Sequence, residues 1–367
     1  MRRRLALAGL TLAAVLALAA CSDDDSGSGG TAGSGGQGAV TTATATTATT
    51  TTTTSTQSAS SAGGGGAGGE APVVEIVATF DPAAFELPEG LAVSGDDAYV
   101  GFAFTGLIDT LPLEGGARTP FASLPPPPPN TSFMTGVGFD GAGNLYAALV
   151  SFTADAQAGI YRTPPAGGAA ALFSSHAQMV FPNGLAWGPD GTLYVTDSVF
   201  GGLFSIDDAG VATPWLTDPL LAGDPTVCGG EPDDIAVGAN GVAFEDGALY
   251  VAGSDHGVLL RVPVEADGNA GTPVVVAGPD CALAGLDGIV VDDDGSVIGA
   301  VNRADRVVRI DAMSGDVSTI AEGAPLDFPA SLAFGGQGAD RALYVTSFGL
   351  ARFLAGEVPS PALVRIK

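Results

Sequence analysis

The sequence predicts an all-β fold, a six-bladed β-propeller, on three observations. One pattern recurs six times between residues 89 and 330, at intervals of 46, 48, 57, 47 and 43 residues. Each copy reads X-Gly-apolar-small-apolar, with Ser for Gly in the last, then a Gly/Asp/Asn turn and a second apolar strand. No run of helical period longer than two turns follows Leu18. A repeat of this length with two or more strands per copy marks a propeller. Alternating β-branched and aromatic residues around Gly-Asp turns fit antiparallel hairpins.

The clearest copy is Phe181–Ser198, FPNGLAWGPDGTLYVTDS: strand Gly184–Trp187, turn Gly188–Gly191, strand Thr192–Thr196. The others start at Glu89, Thr135, Asn240, Asp287 and Ala330. Their second strands are expected to start at Tyr99, Tyr146, Tyr250, Val297 and Tyr344, with Tyr194 in the reference copy. Third strands end on a basic and an apolar residue, as in Arg261-Val262, Arg309-Ile310 and Arg365-Ile366. Copy six runs out one strand short of a four-stranded blade, while the apolar stretch 73–80 belongs to no copy. That stretch is expected to close the ring as the outer strand of the last blade, which removes an exposed edge.

Three segments are expected: 1–21, 22–71 and a propeller over 72–367. Arg2–Arg4 followed by the apolar run Leu5–Leu18 reads as an export signal, too short for a stable span. It ends in Leu18-Ala19-Ala20-Cys21, which resembles the lipobox of bacterial lipoproteins. The resemblance implies that Cys21 is lipidated and anchors the protein in the bacterial cell envelope, with Ser22 favouring outer-membrane placement. An ordinary signal peptide is the other reading. Residues 22–71, with threonines over 41–56, cannot bury enough apolar surface to order themselves, and read as a tether.

The formal charge is −27, with 40 acidic against 13 basic residues. Such a surface repels phosphate backbones, which excludes nucleic-acid partners. It keeps a protein soluble and attracts cations, two accounts the sequence leaves side by side. With Cys21 assigned to lipid, Cys228 and Cys281 form an even pair in an exported protein, and a disulfide between them is expected. They precede copies four and five, so it would brace adjacent loops. The run Pro125–Pro129 is stiff and reads as a rim or a partner site. A monomer is expected, with membrane contact only through the N-terminal lipid.

The X positions are Glu89, Thr135, Asn183, Asn240, Asp287 and Ala330. In a propeller they ring the channel mouth. Turn chemistry alone accounts for Asn and Asp there, but not for Glu89. Two carboxylates and two amides converging on one axis suit a Ca²⁺ ion or another divalent cation with hard oxygen ligands. The order Glu89, Asn183, Asn240, Asp287 resembles the calcium site of the gluconolactonase/regucalcin propellers. The similarity extends over 73–367 and is most specific at Leu87–Gly90, Phe181–Leu185 and Leu286–Ile289. It implies that these four residues hold the ion and that Asp287 is catalytic, as general base or nucleophile, in a hydrolase of lactones or esters. Two rivals stand beside it: a non-catalytic binding propeller with structural calcium, and a strictosidine-synthase-like branch.

Loops on the same face present Phe152, Phe200 and His256, with Arg303 at the matching offset from Val297 and Phe104 and Phe348 in the corresponding loops. With Thr135 these are the candidate contacts for a small-molecule substrate; for the aromatic residues, plugging the ring is the other reading. His256 is a proton shuttle or an ordinary loop histidine. Few polar groups are available to orient a sugar, so an apolar lactone or ester suits the sequence at least as well.

Overall fold

Six antiparallel sheets stand around one channel. The computed structural model describes residues 72–125, 132–153, 156–232 and 234–367. The expected signal peptide, Cys21, the tether and Pro126–Pro129 lie outside them. First strands run Pro88–Ser94, Ser132–Phe139, Pro182–Trp187, Ala239–Glu245, Leu286–Val291 and Pro329–Gly335. Each packs against the first strand of the next blade, and the sixth packs against the first. The six-bladed expectation holds.

The closing strand is Val74–Thr79, paired antiparallel with Ala362–Ile366 as the outer strand of blade six. Glu75 faces Arg365 in that register, and the guanidinium donates to the carboxylate through Nε (3.1 Å) and Nη2 (2.7 Å). A second lacing joins blades one and two, where Gly168–Ala169 pairs parallel with Ala122–Ser123.

The core is divided into six wedges, one between each pair of neighbouring blades. Alternation supplies them, because successive side chains of a strand face opposite wedges. The tyrosines of the repeat sit opposite small residues of the first strand: Tyr99 opposite Ala92, Tyr194 opposite Ala186, Tyr250 opposite Ala243. In blade five that place belongs to Ile298, opposite Val290, and not to Val297. The expected alignment of copy five is therefore one residue out, because a valine stands where the others have Leu or Ala before Tyr.

Ring closure rests on one outer strand, so its ionic clip is a test of the architecture. Arg365→Leu is expected to lower stability by about 2 kcal/mol, read as a reduced urea midpoint with an unchanged slope.

Candidate metal centre at the channel mouth

Every first strand carries a β-bulge at its X position: the pairing register slips between Pro88 and Gly90, Met134 and Val137, Pro182 and Leu185, and likewise in the other three. X therefore lies within the strand, not ahead of it. A bulge re-aims the side chain at its site. None of the six X residues has positive φ, so turn conformation does not explain their identities.

The glycine after X has a packing cause. A Cβ on Gly90 would stand 2.5 Å from the carbonyl oxygen of Thr135, on Gly184 2.7 Å from that of Asn240, and on Gly241 2.1 Å from that of Asp287. Gly136 and Gly288 meet Asn183 and Ala330 in the same way. Neighbouring first strands approach so closely that only glycine fits.

Glu89, Thr135, Asn183, Asn240 and Asp287 are all buried and line one cavity of about 560 Å³. Ala330 is buried and does not line it. The structure thus brings together all four residues expected at the ion. Thr135 turns away from them, its Oγ1 donating to the Pro182 carbonyl at 2.8 Å.

Two serines and an asparagine at the ends of second strands hold the ring. Asn183 Nδ2 donates to Ser198 Oγ (3.3 Å), which donates to the Ala239 carbonyl of the next blade (2.8 Å). Asn240 Nδ2 donates to Ser254 Oγ (3.1 Å), which donates to the Leu286 carbonyl (2.7 Å). In blade five the equivalent residue is Asn302, whose Nδ2 donates to Asp287 Oδ2 at 2.9 Å. Sequence reasoning missed Asn302; counting from Ile298 instead of Val297 places it level with Ser198 and Ser254.

These bonds tie the amide nitrogens back and leave oxygens forward. Asn240 Oδ1 and Glu89 Oε2 are buried with no hydrogen-bond partner. An unpaired buried acceptor costs about 1–3 kcal/mol, and an uncompensated carboxylate more. Burial, with the neighbouring charge of Asp287, raises the Glu89 carboxyl well above its ordinary range. Burial likewise pushes Asp287 up to about 7 from 3.8, against the pull of hydrogen bonds from Asn302, Asn240 and the Gly288 N–H. Two carboxylates and two amide oxygens, some lacking any partner, fit a divalent cation of oxygen preference.

Around this floor the wall is largely apolar. Phe104, Phe133, Phe181, Phe328 and Phe348 line it, with Leu350 and Leu354 of a short helix α1 (Leu350–Leu354). Arg303 lines the other side, its Nη2 donating to the fully buried Asp255 at 2.5 Å. Phe152, Phe200 and His256 are not among the described residues that line the cavity. Phe152 stands beside Phe133 and Phe181 at 6.3 and 6.2 Å, and Phe200 packs on Phe204 at 4.7 Å. The Cys228–Cys281 disulfide is present, with Cα atoms 5.3 Å apart, and Cys228 lines the rim.

Fold and site together define a six-bladed propeller with a carboxylate–amide ring at the foot of an apolar cavity. Residues 224–349 match the sequence profile of the SMP-30/Gluconolactonase/LRE-like region, so the chain is similar to that family across the blades that carry Asn240 and Asp287. A luciferin-regenerating enzyme superposes with a TM-score of 0.56 at 18% identity, covering 81% of this chain and 95% of that one. The Malassezia sympodialis allergen Mala s 1 gives 0.57 at 17%, covering 76% and 92%. Virginiamycin B lyase from Staphylococcus aureus gives 0.50 at 17%, covering 76% and 83%. At these identities the likeness is one of fold. Among curated protein sequences none matches the chain.

The buried pair sets a pH dependence. Between about pH 4 and pH 7 the native state keeps protons that the unfolded chain has released, through the raised Asp287 and Glu89. Metal-free stability is therefore expected to fall as pH rises through that window. Melting in chelator from pH 5 to 7.5 checks this, and Glu89→Gln should flatten the slope. Asn302→Leu is expected to weaken calcium binding about tenfold by freeing Asp287, read by titration calorimetry.

Proposed function

We propose that the protein is a calcium-dependent hydrolase of lactones or esters, held at the bacterial envelope through lipidated Cys21 and the 22–71 tether. The observation that carries this reading is the open ring: Glu89, Asn183, Asn240 and Asp287 face a cavity large enough for a substrate. The family similarity supports an enzyme of this general kind. The allergen among its structural relatives is named for no reaction, which keeps a binding propeller as the rival.

When bound, a divalent cation supplies a Lewis acid for the substrate carbonyl and for the negative charge that develops on it. Glu89, Asn183, Asn240 and Asp287 would hold it. Asp287 takes the proton from the attacking water at a carboxylate oxygen. Asn302 holds Oδ2 of Asp287. Attack by the carboxylate itself is the variant of this step in which Asp287 is a nucleophile.

The test is a panel of lactones, esters and phosphotriesters, each with calcium and with chelator. Turnover of a lactone or ester that chelator abolishes is expected. Asp287→Asn should lower kcat by at least about a hundredfold while the protein still folds. A folded, calcium-bound Asp287→Asn protein with the parent rate would refute the assignment, and calcium binding without any turnover would favour the binding propeller.

A further inference from the structure

The channel mouth is uneven: its short polar ligands fall on one side and its apolar lining on the other, with Glu89 of blade one reaching the ring from the apolar side. Among X residues, blades three, four and five carry Asn183, Asn240 and Asp287. At the ends of their second strands the same blades carry Ser198, Ser254 and Asn302, all buried and hydrogen-bonded toward the floor. The equivalent residues of blades six, one and two are Phe348, Ala103 and Val150, all buried and apolar.

Above that half the phenylalanines are continuous. Ring centroids step from Phe328 to Phe348 (6.3 Å), to Phe104 (6.4 Å), to Phe133 (6.4 Å) and to Phe181 (5.3 Å). Such separations lie in the range of favourable aromatic pairs. Phe328 is held with φ +52, a left-handed conformation that bulky residues rarely adopt, and its N–H donates to Asp305 Oδ1 at 2.7 Å. Strain of this kind persists where the surroundings enforce it, and it clusters at ligand sites. Arg303 and Asp234 add charge to the lining of the same cavity.

We propose that the substrate is an amphipathic lactone or ester whose aryl or alkyl substituent lies along the Phe328–Phe348–Phe104–Phe133–Phe181 arc beneath α1. It rests on the proposed hydrolase reading only in placing the carbonyl over the ring. A polyhydroxylated sugar lactone would set its hydroxyls against phenylalanine and leave them unpaired, which sites penalise far more than they penalise a lost methylene. Each methylene laid on the arc should tighten binding about fourfold.

The experiment titrates the full chain in calcium with two non-hydrolysable δ-lactams, one bearing a hexyl chain and one polyhydroxylated. The hexyl lactam should bind at least about tenfold tighter. Phe104→Ser, and separately Leu354→Ser on the half-buried helix where folding is less at stake, should each cost it about tenfold and leave the hydroxylated lactam unchanged. Equal or stronger binding of the hydroxylated lactam, equal losses for both ligands, or no binding of either overturns the inference. The corresponding lactones separate the two readings. If neither is hydrolysed while the lactam preference stands, only the hydrolase reading fails; if the hydroxylated lactone is hydrolysed faster, only this inference fails.

Discussion

The close approach of neighbouring first strands governs this structure. A Cβ on the residue that follows X would stand 2.1–2.7 Å from a carbonyl oxygen of the neighbouring first strand in five of the six blades, and those five have Gly there. Backbone bulges one residue earlier then have a single direction in which to send a side chain. Five of the six X residues line one cavity, all of them buried.

Burial converts a packing constraint into chemistry. A glutamate and an aspartate exposed to water would titrate near their ordinary values; here burial raises both. Hydrogen bonding is distributed so as to leave the charge incompletely compensated. Asn183 donates to a serine, Asn240 to a serine and to Asp287, and Asn302 to one oxygen of Asp287. Glu89 Oε2 and Asn240 Oδ1 receive nothing. A fold selected for stability alone would fill those positions with apolar residues, as blade six does with Ala330.

Much of this was legible in the sequence. The repeat fixes six blades because its period survives every insertion, and the closing strand follows from a blade short of one strand and a strand short of a blade. Glu89 betrays the ring because no turn preference accounts for it. What escaped is what the repeat does not register. Copy five replaces the Leu-Tyr of copies three and four with Val297-Ile298, so local pattern matching takes the valine for the marker and loses Asn302. Phe200 and Phe152 stand at loop positions that project toward the cavity by offset, yet their rings find better burial against Phe204 and against Phe133 and Phe181. The rings that do line the wall include Phe133 and Phe181, two residues before X, where a strand's period of two makes them face as X does.

The use of glutamate in blade one follows from the same asymmetry. Three of the four candidate ligands, Asn183, Asn240 and Asp287, are short side chains on consecutive blades, each backed by a polar residue one tier out. These three sit on the side of the channel mouth formed by blades three to five. The fourth ligand comes from blade one, three blades away from Asn240, and has to span the remainder of the channel mouth. Glutamate is one methylene longer than aspartate, and its reach meets that requirement. On the side of blades six, one and two the wall above the ring is built by Phe348, Phe104 and Phe133. The short polar X residues and the apolar arc thus divide the channel mouth between them: blades six and two offer no candidate ligand, and blade one reaches across with the longer Glu89.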